Sequence, residues 1–429
     1  MKARWMTLPR LAATALMALA VPALAQEPAT ASLPDGLRKY YDALLAEGEW
    51  GAVLNLQRVG LEAIDQGRPD VAARAFDAAI ARIELIYADS PSARKARSMW
   101  SAEGVKDFKG EPYERVMAYY YRGLLFLAEG DYGNARAAFR SAEYQDTISN
   151  DENYAGDFGL MSLLAGWASH CAGDEGMAEE FYQRAAGQQP QGLVAPAPGS
   201  DTLLLVESGT SPVKSATGSY GEALQFKAGD NPFVAVSAGT QAVPVLADLG
   251  WQASTLGGRQ VDAILDGKAS FRGGAQGVGE VGMLGAQAAI SSGDSGAAGA
   301  LAVVGVAAVL ISAAVKAKAD IRYWDNLPDR IYGRFAGPGD AAAGAVSETD
   351  GGGGTYPGPA AGIRPRAGRA RLVLHRTREP ATLRAHAVTN LSEAERRKLY
   401  KRNEERDRAF RDEMAALFLS ADVAMGEVQ

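Results

Sequence analysis

The chain has 429 residues, of which 47% are hydrophobic and 22% are charged, and its formal net charge is −7. This composition excludes a largely disordered chain, and its 49 glycines lack the three-residue period of collagen. A single cysteine excludes an internal disulfide and any cluster of several thiolates around a metal. The length predicts two or three domains.

The N-terminus has the pattern of a signal peptide that is removed on export. Three basic residues within the first ten precede an apolar stretch, 11–24, which ends in the small-x-small pattern Ala23-Leu24-Ala25. We therefore expect residues 1–25 to be a signal peptide that is cleaved near Ala25. The mature chain is then exported, to the periplasm or in association with the outer envelope. No cysteine stands at the cleavage site, so lipid anchoring there is not expected.

Residues 34–190 have the periodicity of helices, and one spacing recurs three times within them. A glycine is followed twelve residues later by an alanine, then four residues on by an aromatic residue, and three beyond that by a second alanine. The three sets are Gly60, Ala72, Phe76, Ala79; Gly123, Ala135, Phe139, Ala142; and Gly166, Ala178, Tyr182, Ala185. The spacing predicts antiparallel helix pairs that approach closely at the small residues, with the aromatic ring filling the space beside them.

These segments resemble the tetratricopeptide repeat (TPR). In the central unit Tyr119 and Phe126 take the aromatic positions of the first helix, and Gly130-Asp131-Tyr132 takes the position of the turn. The resemblance covers roughly a third of the chain. The repeated glycines lie 63 and then 43 residues apart. Because TPR units repeat about every 34 residues, we expect longer helices or inserted loops.

The TPR resemblance implies a stack of hairpins with a concave groove that binds a peptide or a partner protein. The candidates for the wall of this groove are Tyr113, Tyr119, Tyr120, Tyr121 and Arg122. Aromatic residues at helical spacing also fit a buried core, and hairpins can serve only to carry the C-terminal half of the chain. Both alternatives stay open at the level of sequence.

His170 and Cys171 are neighbours in the first helix of the third repeat unit. A cysteine and a histidine together suggest a nucleophile, which would need both side chains on one side of the helix. Consecutive helical residues point about 100° apart. We therefore expect Cys171 to be a buried packing residue, and no catalytic residue is predicted here.

Residues 200–337 read as a mixed region with short strands. Apolar runs at 202–206, 233–236 and 243–246 predict three of them. A strand followed by Ser208 and a glycine suggests a nucleophile elbow, but Glu207 stands where that motif has a glycine. A hydrolase working around Glu207 and Ser208 is therefore kept only as an alternative function.

Two stretches carry a second resemblance. Residues 205–214, with the sequence Leu-Val-Glu-Ser-Gly-x-x-Pro-Val-Lys, and residues 319–328, around Tyr323-Trp324, resemble an uncharacterised family of exported bacterial TPR proteins. The resemblance implies an envelope protein of unknown activity whose helical repeats precede a strand-rich region. Members are commonly lipoproteins, and this chain lacks the lipidated cysteine. The resemblance supplies no catalytic residues.

An uncharged stretch at 295–315 is long enough to cross a membrane. Alanine and glycine dominate it, which favours a tightly packed helix, so insertion in a membrane is an alternative. Nearby, the glycines of 277–282 match a dinucleotide fingerprint in letters alone. They lack the preceding strand and the acidic residue that follows about 20 positions later. No cofactor and no metal site are predicted.

The C-terminal part is predicted to be a linker and a basic tail. Residues 338–362, rich in glycine and proline, read as a flexible linker. Residues 363–429 read as a strand-helix tail, with strands at 370–374 and 382–388 and a helix that starts at the capping box of Ser392.

The tail is the basic part of the chain, because 363–412 hold 15 Lys and Arg against seven Asp and Glu. This surplus suggests contact with an anionic surface, either lipid headgroups or the acidic repeat domain of the same chain. Acidic residues at helical pair spacings suggest a solvated, self-paired helix instead. An exported protein is not expected to bind nucleic acid.

The expected fold class is α+β, with an N-terminal α-helical TPR-like hairpin stack followed by a small mixed, strand-containing C-terminal region. The expected function is that of a non-enzymatic scaffold or adaptor in the cell envelope. Its partner would be another envelope protein or a peptide.

Overall fold

A computed structural model describes ten segments of the chain. They are residues 33–87, 107–147, 156–189, 193–217, 223–254, 319–338, 345–358, 361–363, 371–377 and 404–419. Several sequence predictions lie outside these residues, namely the signal peptide 1–25, the glycines of 277–282, the apolar stretch 295–315, the strand 382–388 and the capping box at Ser392.

Nine α-helices lie within the described residues, seven of them before residue 190. In chain order they are α1 Asp35–Glu47, α2 Ala52–Asp65, α3 Pro69–Tyr87, α4 Pro112–Glu129, α5 Tyr132–Thr147, α6 Leu160–Cys171, α7 Glu175–Gln188, α8 Leu249–Ser254 and α9 Glu404–Phe418. A short 3-10 turn, Gly48–Trp50, joins α1 to α2. The helices α3 and α4 have 19 and 18 residues, so longer helices contribute to the wide spacing of the repeat units.

Three antiparallel hairpins, α2/α3, α4/α5 and α6/α7, form the helical region. In each, the aromatic ring of the second helix lies flat against the glycine of the first. The pairs are Gly60 with Phe76, Gly123 with Phe139, and Gly166 with Tyr182. A Cβ atom at these glycines would lie only 2.4 to 2.8 Å from the ring, and the six repeat alanines are all buried. The spacing seen in the sequence is therefore the contact line between paired helices.

The turn of the central hairpin shows how the helices reverse direction. Gly130 ends α4 in the left-handed conformation, with φ at 79°, and its N–H donates to the carbonyl oxygen of Leu127 at 3.1 Å. Asp131 then accepts the N–H of Asn134 at 3.1 Å. Glycine tolerates a positive φ, and the aspartate satisfies a backbone donor at the start of α5.

Eleven β-strands follow within the described residues. In chain order they are β1 Thr202–Ser208, β2 Val213–Thr217, β3 Ala223–Lys227, β4 Phe233–Ala238, β5 Gln241–Val243, β6 Val245–Asp248, β7 Arg330–Ala336, β8 Val346–Asp350, β9 Thr355–Pro357, β10 Ala361–Ile363 and β11 Arg371–Arg376. The strands predicted at 202–206, 233–236 and 370–374 correspond to β1, β4 and β11. The run 243–246, predicted as one strand, is instead divided at Pro244 between β5 and β6, which lie in different sheets, because proline has no N–H for a ladder hydrogen bond. The predicted α+β fold, with helical hairpins before a mixed sheet region, is confirmed.

The strands form two sheets and one separate hairpin. A five-stranded sheet has the order β10-β11-β1-β7-β6, a four-stranded sheet has the order β5-β4-β8-β9, and β2 pairs with β3. In the larger sheet β1 runs parallel to β11 and antiparallel to β7. One face of this sheet packs Leu203 and Leu205 into the core shared with the helices, and the other packs Leu204 and Val206 against the smaller sheet.

The predicted linker, 338–362, contains β8, β9 and β10, so the prediction of a flexible segment was wrong there. Asp350 organises the glycine run: its carboxylate accepts the N–H groups of Gly352 and Gly354 and the hydroxyl of Tyr356, at 2.8 to 2.9 Å. Gly353 has φ at 83°, a conformation that favours glycine. The glycines therefore form the loop of a β-hairpin between β8 and β9.

The predicted tail, 363–429, is integrated with the rest of the protein where it is described. The strand β11 lies between β10 and β1 in the larger sheet. The helix α9 packs against the helical region, with the ring of Phe418 5.8 Å from that of Tyr41 and Glu413 2.7 Å from Arg82. The strand β1 continues through Glu207 and Ser208, two residues beyond the strand predicted at 202–206.

We expect Gly123→Ala to lower the free energy of unfolding by about 1 to 3 kcal/mol, because the new Cβ would overlap the buried ring of Phe139. The matched control is Gly176→Ala in α7, where a Cβ meets no atom within 4 Å. There the better helix propensity of alanine should stabilise the protein by up to ~1 kcal/mol. Urea unfolding of both variants measures the difference. Equal effects at the two positions would contradict the close approach of α4 and α5.

Candidate functional site

The first helix of each hairpin faces the five-stranded sheet. The ring of Trp167 in α6 lies 4.9 Å from that of Phe335 in β7. In α2, Arg58 reaches the segment before β7, and in α4, Tyr121 reaches β1. The face that TPR-like hairpins would offer to a partner is therefore covered by the strand region of the same chain.

The segment 319–328 fills the space between α2 and α4. Trp324 is fully buried, with its ring 6.2 Å from Phe76 and 5.8 Å from Tyr121. Its backbone N–H donates to the carboxylate of Glu114 at 2.6 Å. The next residue, Asp325, accepts a hydrogen bond from Arg58 Nε at 2.7 Å, and both side chains are almost completely buried.

A buried ionic network joins the helices to the sheet beside this segment. Its centre is Arg376 in β11, which forms an ion pair with Glu207 in β1 and another, at 2.9 Å, with Asp65 in α2. The hydroxyl of Tyr121 donates to Glu207 Oε2 at 2.8 Å and accepts from Arg376 Nη1 at 2.7 Å. Arg376 Nη2 donates to the carbonyl oxygen of Asn326 at 3.1 Å. We call these four side chains, Asp65, Tyr121, Glu207 and Arg376, the junction network.

Burial dominates the electrostatics of the junction network. It raises the pKa of Glu207, and the charge of Arg376 and the hydroxyl of Tyr121 oppose this shift. The nearby carboxylates hold the pKa of Arg376 well above its usual value. A desolvated ion pair adds little stability over apolar packing, but loss of one partner leaves a buried charge. The arrangement therefore fixes the position of the sheet against the helices.

The predicted groove residues lie in α4, within the junction network or near it. Tyr113 and Tyr120 are fully buried, and the ring of Tyr113 meets that of Phe226 in β3 edge-on at 6.3 Å. Tyr119 donates to Glu84 at 3.0 Å. Arg122 pairs with Asp77 at 2.7 Å and lies over the ring of Phe126. The structure places the three tyrosines on different sides of α4, with Tyr119 turned toward α3, and each contacts its own chain. Their role in binding a partner stays a prediction.

Glu207 and Ser208 point to opposite faces of the larger sheet, as consecutive strand residues must. Glu207 faces the helices, whereas the hydroxyl of Ser208 donates to Asn231 Oδ1 at 3.3 Å on the other face. Ser208 is fully buried. The two residues that the hydrolase alternative would combine are therefore separated by the sheet.

Cys171 and His170 also diverge. Cys171 is half-buried and packs beside the core, and burial raises the pKa of its thiol to about 12. His170 lies 3.0 Å from Glu175 and stacks on the ring of Trp167. A thiol with a raised pKa is a poor nucleophile at neutral pH.

Sequence reasoning missed Asp65 and Arg376 as members of the junction network, and it also missed the buried pair of Arg58 with Asp325 beside it. A local signal exists in α2, where Arg58 and Asp65 lie seven residues apart and hence on one face of a helix whose other residues are mostly apolar. Charged residues on the inward side of a predicted repeat helix indicate a buried polar contact. The strand residue Arg376 has no comparable signal, because it stands in a basic stretch.

Comparisons of the chain with models of protein families, with curated proteins and with solved structures found no match. The resemblances to the TPR and to a family of exported envelope proteins therefore stay predictions. Among the described residues, no helix is both long and apolar enough to cross a membrane.

Two buried acids in the helical region have raised pKa values. Burial raises the pKa of Glu114 to about 7, although the charge of Lys214 opposes the shift. Burial likewise raises the pKa of Asp146, at the end of α5, to about 7, and the N–H of Phe158 that it accepts at 3.0 Å opposes this. Both acids hold protons in the folded protein at pH values where an unfolded chain has released them.

We expect Arg376→Met to lower the free energy of unfolding by about 3 to 5 kcal/mol, because it leaves Glu207 and Asp65 buried without their cation. The matched control is Arg68→Met, which breaks a more exposed ion pair with Asp70 and should cost under ~1 kcal/mol. The double variant Arg376→Met/Glu207→Met should lose less than the sum of its single changes. Denaturant unfolding is measured for the wild type, Arg376→Met, Glu207→Met, the double variant and the control Arg68→Met, and additive losses would contradict a coupled network.

We expect the folded state to lose stability as the pH rises from about 5 to 8. The folded pKa of Asp146 lies above its unfolded value, so its contribution is complete in acid and is lost as the pH rises through about 7. Asp146→Asn should remove this part of the pH dependence, roughly 1.4 kcal/mol for each unit of pKa shift. Urea titrations at pH 5, 6, 7 and 8 provide the measurement. As a control, Glu179→Gln at an exposed position should leave the dependence of the unfolding free energy on pH unchanged. An unaltered pH dependence in Asp146→Asn would contradict the role given to Asp146.

Proposed function

We propose that this protein is an exported, non-enzymatic scaffold of the cell envelope. In it, the helical hairpins bind the strand region of their own chain, and the assembled unit binds a partner protein. The observation that carries the proposal is the covered inner face of the hairpins, where Trp324 and the junction network take the place of an external ligand. Export and the envelope location rest on the signal-peptide pattern of residues 1–25.

Because the inner face of the hairpins is covered by the same chain, a partner protein would have to bind another surface. Large apolar side chains are exposed at separate places, and they include two on the helices and two on the smaller sheet: Leu85, Tyr144, Val234 and Tyr356. Single exposed apolar side chains are ordinary on a protein surface, so these four serve as positions that sample the uncovered faces of the helices and the smaller sheet. The hairpins then act as a carrier that holds the strands in one orientation.

The alternatives receive less support. The stretch 295–315, which a membrane-inserted protein would use, lies outside the described residues. A hydrolase would need Ser208 to reach a substrate, and its fully buried hydroxyl donates to Asn231. A scaffold requires neither feature.

Photo-crosslinking of the full chain in its native envelope tests the proposal. A photoreactive phenylalanine analogue would be placed at Tyr144 and Val234, which are 65% and 62% exposed, and at the covered Tyr119. We expect adducts with a separate protein from at least one exposed position. At Tyr119 we expect only crosslinks within the chain, because its neighbours there belong to the same chain.

Two outcomes would contradict the proposal. A partner adduct from Tyr119 with none from Tyr144 or Val234 would return the binding site to the predicted groove residues of α4. No adduct with another protein at any position, in a chain whose melting temperature is unchanged, would remove the scaffold role itself.

A further inference from the structure

The second and third hairpins meet along a line of polar contacts between α5 and α7. Glu143 of α5 pairs with Arg184 of α7 at 3.2 Å. Seven residues earlier in each helix, Arg136 Nη1 donates to the sulfur of Met177 at 3.0 Å. Residues two helical turns apart lie on the same side of a helix, so the two contacts are successive pairs along one line. We call these four residues the hairpin seam.

Met177 takes, in the first pair of the hairpin seam, the place that a carboxylate takes in the second. A thioether sulfur is a weak acceptor, whereas a carboxylate accepts strong, charge-assisted hydrogen bonds from a guanidinium group. The carboxylate of Asp174 lies 3.8 Å from Arg136, and its other oxygen accepts the N–H of Met177 at 3.2 Å. The donor of Arg136 that faces α7 is therefore satisfied by a weak acceptor.

Met177 is also a methionine that an oxidant in solution can reach. Its side chain is 37% exposed, whereas the other methionines of the described residues, Met117, Met161 and Met414, are each 0% exposed. These three belong to the hydrophobic core, where a sulfoxide would place a polar oxygen among apolar side chains. At Met177 the sulfur borders solvent and a guanidinium group instead.

We propose that Met177 is a redox-sensitive contact between the second and third hairpins, with hydrogen peroxide as the oxidant. A lone pair of the sulfur attacks one oxygen of the peroxide, the O–O bond breaks, and an S–O bond forms. The departing hydroxide takes the proton of the transferred oxygen, so the products are the sulfoxide and water. The sulfur is oxidised, and the peroxide is reduced.

Arg136 is placed to hold the new oxygen. Its Nη1 already donates to the sulfur, so the sulfoxide oxygen, one bond further on, replaces the sulfur as acceptor. That oxygen carries a large partial negative charge, and its hydrogen bond with a cation is stronger than that of a thioether. Oxidation therefore strengthens the hairpin seam, whereas oxidation of a core methionine disrupts packing. This site goes beyond the scaffold function and does not depend on it.

Peptide mapping by mass spectrometry tests where oxidation occurs. The full chain is treated with hydrogen peroxide under native conditions and sampled over time. We expect Met177 to be oxidised roughly tenfold or more faster than Met117, Met161 and Met414, because they are shielded from the oxidant. Equal rates at these four positions would overturn the proposal.

Urea unfolding before and after the same treatment tests the effect on the hairpin seam. The change in the unfolding midpoint on treatment should be more stabilising in the wild type than in Met177→Leu. Methionines outside the described residues are present in both proteins, so the difference between the two isolates the effect of Met177. No difference, or a difference of the opposite sign, would overturn the proposal.

Two variants locate the effect at Arg136, each measured with and without Met177→Leu. Arg136→Leu removes the donor and should abolish the difference that Met177 makes. Arg184→Leu breaks the other pair of the hairpin seam and should retain it. Both arginine side chains are partly exposed, at 31% and 50%, so both variants are expected to fold. A difference that persists in full in Arg136→Leu would show that Arg136 does not hold the sulfoxide.

Discussion

The ion pairs of Arg376 are the constraint on which the arrangement of helices and strands depends. A guanidinium group buried at an interface needs its charge and its donors satisfied, and here Glu207, Asp65 and the carbonyl oxygen of Asn326 do so from three separate parts of the chain. Its hydrogen bond to Asp65 spans 311 residues of sequence. Any shift of the sheet against the hairpins would therefore break these ion pairs and leave the guanidinium group of Arg376 buried without a partner.

The same side chains pack the helical hairpins together and contact the segment that covers their inner face. The ring of Phe76 covers Gly60 within its hairpin, stacks on Tyr121 at 5.7 Å and also meets Trp324. One hydrophobic core accordingly runs from the hairpins into the larger sheet and takes in α9. The helical region and the strand region are thus parts of one folded unit, although their sequences differ sharply in composition.

The sequence predicts what local spacing determines. The glycine and aromatic positions of the repeats predict the hairpins, and the apolar run at 202–206 predicts β1, because both patterns reflect periodic burial. The linker prediction failed because glycine content alone does not reveal that Asp350 holds the loop amides. The junction network was missed because Glu207 and Arg376 are 169 residues apart. For Tyr113 and Tyr120 the pattern indicates the inner side of a helix, and only the tertiary structure identifies the strands that cover it.

The strand β1 is packed on both faces, against the helices on one side and against the smaller sheet on the other. Its continuous apolar run is typical of a strand buried on both faces: Leu203, Leu205 and Glu207 meet the helices, and Leu204, Val206 and Ser208 meet the smaller sheet. The junction network and the hydrogen bond of Ser208 to Asn231 therefore use adjacent residues of one strand, and the N–H of Thr377 donates to the carbonyl oxygen of Glu207. Because successive side chains of a strand point to opposite faces, a change in the register of β1 would disturb the contacts on both faces at once. Through β1 and β11, the position of the hairpins and the packing of the two sheets therefore rest on a common support.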